Sequence, residues 1–138
     1  MSSTNHEDLL RSYITDVWEE GNPEAVARFA ADGYLRHRSP TASPLDLDAQ
    51  IERLRGFRRA FPDMTIEVND VVASGDLIAF RGTMRGTHSG EFLGVPATGR
   101  AVTAGLLDLI RVEDGRIAEQ WGGPDTYDLL TQLGATVS

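Results

Sequence analysis

The stretch RAVTAGLLDLIRVEDGRIAEQWG, residues 100–122, decides the fold. Asp114-Gly115 at its centre is a two-residue turn signal between two runs rich in apolar and β-branched residues. Arg100 to Glu113 and Arg116 to Gly122 therefore read as two antiparallel strands. Upstream, a period of two runs through Ile66, Val68, Val71 and Val72, turns at Ser74-Gly75-Asp76 and continues from Leu77 to Gly86 as a second pair.

Before Met64 the apolar period is helical. Leu9, Leu10, Tyr13, Ile14, Val17 and Trp18 mark a helix from about His6 to Glu20, stopped by Gly21-Asn22-Pro23. Ala25, Val26 and Phe29 predict a short second helix that ends at Asp32-Gly33, and Tyr34 to His37 reads as a brief strand. After a Ser39 to Pro44 loop, Asp46 or Asp48 can cap a third helix carrying Ile51, Leu54, Phe57 and Phe61, which Pro62-Asp63 terminates. Arg53, Arg55, Arg58 and Arg59 on this helix are read as a solvated face in preference to an anion site. Three helices followed by four long antiparallel strands, without repeat or linker, predict a single α+β domain over residues 1–138 with frayed ends at 1–5 and 135–138. A twisted sheet covered on one face by helices leaves a cavity between the layers.

Composition narrows the function classes. A formal charge of -8 disfavours the basic surface on which nucleic-acid binding starts. Without cysteine there is no disulfide, thiolate metal site or cysteine nucleophile. The polar start lacks the apolar core of a secretory signal, and no run nears the roughly 18 apolar residues of a membrane span, so a cytoplasmic protein without membrane contact is expected. His6, His37 and His88 lack ligand spacing, and no glycine run follows a strand and opens a helix; neither a metal nor a cofactor is expected.

Asp108 interrupts Gly105, Leu106, Leu107, Leu109 and Ile110, a run that looks buried on both faces. Desolvation would raise its pKa and suit it to general acid or base work, unless it is an ion-paired structural group. Arg81, on the neighbouring strand, is the arginine that would lower its pKa. Alternation sends Ala118, Gln120 and Gly122 to one face and Ile117, Glu119 and Trp121 to the other, offering Gln120 to the pocket as a carbonyl-orienting amide or leaving it as an ordinary strand residue. His37 at the expected mouth could shuttle a proton or be a plain surface or core residue. Asp125, also a candidate, reads better as a helix N-cap. His88 reads as a brace of the glycine-rich loop. Outer-face apolar residues such as Leu109, Ile117 and Trp121 would favour a homodimer through the sheet.

Helix one through Gly21-Asn22, the Phe61-Pro62-Asp63-Met64 turn, the loop Gly86 to Gly99, Arg111 to Ile117, and Gln132-Leu133-Gly134 together resemble the SnoaL-like branch of the nuclear-transport-factor-2-like superfamily. The resemblance implies a cone-shaped fold in which a curved, mainly antiparallel sheet wraps three N-terminal helices around an internal pocket. It also implies a cofactor-independent cyclase of antibiotic and other secondary metabolism acting on a hydrophobic polyketide-like intermediate. A non-catalytic ligand-binding or accessory protein, or epoxide-hydrolase-type ring opening, are the alternatives. In the family's aldol cyclases the acid on the last strand aligns with Gly122 and its assisting histidine with Asp108; the epoxide-hydrolase pattern fails at Leu106, which stands at its arginine position. The expected site is therefore Asp108 with His37, Gln120 and Asp125, inside a substrate wall of Tyr13, Val17, Trp18, Phe57, Arg81, Leu106 and Trp121.

Overall fold

The computed structural model describes residues 3–135. Helix α1 (Ser3–Tyr13) passes into a π-helical turn, Ile14–Glu19, whose Ile14, Val17 and Trp18 are buried. The helix thus starts before His6, and the fraying expected at residues 1–2 and 136–138 lies outside the described residues. A 3-10 turn at Pro23–Ala25 leads into α2 (Val26–Phe29) and then β1 (Ala30–His37). Helix α3 (Leu47–Ala60) is capped by Asp46, which accepts from the Ala49 amide. Strands β2 (Thr65–Ser74), β3 (Leu77–Thr87), β4 (Ala101–Glu113) and β5 (Arg116–Pro124) precede α4 (Thr126–Gln132).

The sheet has five strands, in the order β1-β5-β4-β3-β2. Its antiparallel part follows the two predicted pairs. The difference lies in β1, which begins at Ala30, runs parallel to β5 and aligns Arg36 with Gln120 and His37 with Trp121. Asp32-Gly33 does not end a helix; it lies where the β1 register shifts between Ala30 and Leu35, with Gly33 at φ +76°.

The helices cover one face of this sheet. Leu10, Tyr13, Trp18, Phe57 and Phe61 meet Phe80, Met84, Leu106 and Ile110 in one apolar core. Trp18 sets its ring edge-on to Phe57 at 5.9 Å. Strand β4 is not buried on both faces: Leu106, Asp108 and Ile110 point inward, whereas Leu107 and Leu109 are 66% and 37% exposed. On β5, simple alternation also fails. The register shifts between Arg111 opposite Glu119 and Val112 opposite Ile117, so Ile117 and Ala118 are both buried and Ile117 is a core residue.

Candidate active site

Four inward positions on three adjacent strands converge. Asp108 on β4 faces Gly122 across the ladder, while Gln120 on β5 and Arg36 and Tyr34 on β1 share its face. The Arg36 guanidinium lies 3.3 Å from Asp108 Oδ1 through Nη2, which also donates to the Gly122 carbonyl. Gln120 donates its amide to Asp108 Oδ2 at 3.3 Å and accepts the Tyr34 hydroxyl on its carbonyl. Both Asp108 oxygens thus have protein donors, and Tyr34 fixes which way the Gln120 amide points.

Burial dominates the electrostatics. Asp108 is 6% exposed, and desolvation pushes its carboxyl up to about 6 despite the opposing charges of Arg36 and Arg53 and the bonds from Arg36 and Gln120. Tyr34 and Tyr13 are raised for the same reason, burial, so both phenols stay neutral. Burial works against the charge of Arg36, but the contact with Asp108 offsets it and the guanidinium stays protonated. Arg53 is pushed down to about 10 by burial and by the like charge of Arg36.

Arg53 links this cluster to a cavity of ≈ 510 Å³ between α3 and the β3–β4 loop, whose lining includes Arg38, Arg53, Phe57, Phe92, Leu93 and Thr126. A side chain at Gly123 would come within 2.9 Å of Nη2 of both Arg36 and Arg53, so the two guanidinium groups meet over that glycine. A second hollow, ≈ 440 Å³, lies between the starts of β1 and α3; it is rimmed by Asp32, Asp46, Asp48 and Arg116 and reaches the cluster through Tyr34.

Of the residues expected from sequence, Asp108 and Gln120 come together in this cluster, and Leu106 lies buried beside them on β4's inner face. Tyr13, Val17, Trp18 and Phe57 are buried in the core, and Phe57 also lines the cavity. His37 does not join Asp108. Strand alternation gives the inner position to Arg36, and His37 turns outward, bonding Glu119 at 2.7 Å and stacking on Trp121 at 4.9 Å. Trp121 is therefore on the outer face as well. Arg81, opposite Leu107 rather than Asp108, also points outward and bonds Asp70. Asp125 caps α4 by accepting from the Asp128 amide, and His88 braces its loop by accepting the Thr98 amide at Nδ1.

Sequence reasoning missed Tyr34, Arg36 and Arg53. Alternation along Tyr34-Leu35-Arg36-His37 puts Tyr34 and Arg36 on one face, but their neighbours depend on β1 lying parallel to β5. The α3 arginines are not one solvated face. Arg55 and Arg59 bond exposed glutamates, Arg58 donates to the Trp18 and Met64 carbonyls, and Arg53 folds over the Phe57 ring at 5.0 Å. Gly122, where the sequence resemblance led one to look for an acid, has φ +98°, and a Cβ there would lie 2.2 Å from the Leu107 carbonyl oxygen. No side chain can occupy that point without moving the ladder.

Residues 8–133 match the SnoaL-like polyketide cyclase family. Aklanonic acid methyl ester cyclase DnrD of Streptomyces peucetius is 28% identical over 133 residues, spanning 92% of this chain and 89% of that protein. Among solved structures, IdmH of Streptomyces antibioticus, a candidate polyketide cyclase, is 36% identical with a TM-score of 0.79, covering 94% of this chain and 98% of its own. AclR of Streptomyces galilaeus, a candidate hydroxylase, superposes with a TM-score of 0.87 at 26% identity, covering 96% and 83%.

Proposed function

We propose, because the chain belongs to the SnoaL-like polyketide cyclase family, that it closes a ring in a polyketide-type intermediate of antibiotic biosynthesis without a cofactor. The observation that carries the reading is Asp108, a carboxyl group with its pKa near 6 inside the fold, oriented by Gln120 and Arg36. A group of that pKa is useful in both protonation states near neutral pH. As base, the carboxylate takes a proton from an activated C–H between two carbonyls, and the C–H pair becomes the enolate. The enolate carbon bonds to a second carbonyl carbon of the same molecule, whose π pair moves to oxygen. That oxygen then takes the proton back from Asp108, so the sequence is a net isomerisation. Holding the reacting carbons together against Phe57 and Phe92 removes several kcal/mol more of the barrier. The substrate named for DnrD, aklanonic acid methyl ester, and the polyketide cyclase family support the substrate type.

A second reading keeps the cone as a shape-driven cyclase or binding protein with Asp108 as the counter-ion of Arg36. It is favoured by the protein donors already on both Asp108 oxygens. Epoxide opening has less support, because among the described residues the Arg36 cluster holds one carboxylate and no second to activate water. Asp108→Asn separates the readings: with aklanonic acid methyl ester and its free acid as first test substrates, turnover of the one converted should fall at least about a hundredfold in a folded protein. Unchanged turnover in that variant removes proton transfer by Asp108.

The outer sheet face supports a homodimer. Cross-strand register aligns Val72, Ala79, Leu109 and Trp121 in one row, with Leu107 beside it. Sedimentation should give a species of about twice the 15.1 kDa chain mass that Leu107→Arg shifts to the monomer; a wild-type monomer at micromolar concentration rules the dimer out. No described helix is long and apolar enough to cross a membrane, and a cytoplasmic site of action accords with a biosynthetic role.

A further inference from the structure

Arg36 and Arg53 are both largely buried, their Nη2 atoms meet within about 6 Å over Gly123, and one carboxylate, Asp108, serves both. Arg36 takes it. Among the described residues no carboxylate lies within 4.0 Å of Arg53, whose Nη1 instead reaches the Gln50 amide oxygen at 3.5 Å. Gln50 is fully buried one turn away on α3, and its Nε2 has no hydrogen-bond partner among the described residues. Where Arg53 lines the cavity there is thus one more positive charge than negative, and directly beside it, behind the lining, the unused amide donor of Gln50. Unpaired buried charge and unsatisfied donors are costly, and both lack the same thing, an anionic oxygen acceptor. Elsewhere on the rim the charges are matched or turned outward: Arg59 pairs with exposed Glu52, Arg38 donates to the Ser43 carbonyl, and Glu91 is exposed to solvent. The rest of the wall, Phe57, Phe92, Leu93 and Leu45, is apolar.

We propose that this cavity binds a carboxylic acid with an apolar body, its carboxylate seated on the Arg53 guanidinium beside the Gln50 amide. Planar guanidinium and carboxylate groups match through two parallel N–H···O bonds, a geometry that a methyl ester offers neither the charge nor the second anionic oxygen to complete. The site therefore selects a free acid over its ester, a preference that sets this chain apart from DnrD, whose named substrate is a methyl ester. This inference rests on the cyclase reading only in treating the cavity as the substrate's, and it is tested by binding alone, so the two can fail separately.

The probe pair is 2-naphthoate and methyl 2-naphthoate, titrated calorimetrically into the full-length protein at pH 7.5. The acid should bind more tightly than the ester. Arg53→Gln should weaken acid binding by roughly ten- to a hundredfold and leave ester binding unchanged, with circular dichroism confirming the fold; Arg53→Lys should recover part of the loss. In wild-type protein, the Arg53 Nε–H NMR signal should move on adding the acid and stay in place on adding the ester, a readout that needs no variant. Equal or tighter ester binding, an unmoved Arg53 signal, no acid binding at millimolar concentration, or full acid affinity in Arg53→Gln would each overturn the proposal. The last result would make Arg53 a charge serving Asp108 alone.

Discussion

Asp108 and Glu119 sit on neighbouring strands, one turned to the core and one to the outer face, and their acidities move in opposite directions. Glu119 accepts from His37 and from Arg111 at 2.8 Å, and these bonds hold its carboxyl below its usual range. Asp108 also has an arginine and a second donor, yet its carboxyl rises. The partners are similar in kind; the solvent is not. An ion pair gains about 1 kcal/mol in water and several times more inside a protein, but removing an ion from water costs several kcal/mol on its own. At Asp108 the second quantity wins, and at Glu119, a quarter exposed, it hardly enters. The teaching of the two faces is that a carboxylate–arginine contact does not define a chemical state until its solvent is known.

Breaking the inner pair should have the largest effect on stability. Arg36→Met strands the Asp108 charge and should cost about 3–5 kcal/mol at pH 8. At pH 5 Asp108 can take up a proton, so the loss should be clearly smaller; urea unfolding at both pH values checks this, and equal losses would mean that Asp108 is already protonated at pH 8.

The raised pKa gives the next test. Between the ordinary value of 3.8 and about 6 the folded chain keeps a proton that the unfolded chain has released. Asp108's contribution to stability is therefore greatest below that window and falls by about 3 kcal/mol as pH rises through it. Depressed carboxylates such as Glu119 slope the other way, so the quantity to follow is the difference between wild type and Asp108→Asn across pH 4 to 7. A flat difference would remove the desolvated acid.

Gly122→Ala tests the backbone that carries both faces. With φ at +98° and the Leu107 carbonyl in the way, the change should cost about 1–3 kcal/mol and lower the melting temperature. The smallest effect belongs to the outer chain: Glu119→Gln should change stability by less than about 1 kcal/mol. That small contribution should vanish as pH falls through the depressed Glu119 pKa, and a loss as large as that of Arg36→Met would erase the contrast between the faces.

Much of this arrangement was readable before any coordinates. Asp114-Gly115 and Ser74-Gly75-Asp76 placed both hairpins, because a turn and the period of its flanking strands are local properties. Asp108 stood out because a charged residue in an apolar run is itself a local anomaly, and strand parity put Gln120 on its side. Parity misled at Ile117, where one extra residue in the ladder changes the face, and at Leu107 and Leu109, whose apolar character says nothing about which side they occupy.

Neighbouring residues were enough to mark most helices, both antiparallel hairpins and the carboxylate at the centre. The surroundings of that carboxylate came from the packing of distant segments. Arg36 lies 72 positions from Asp108 and reaches it because β1 docks parallel to β5. Arg53 arrives from a helix that packs over the same sheet, and Gly123 leaves room for both guanidinium groups. Such encounters depend on how layers pack and on what water is excluded, quantities that no window of consecutive residues contains.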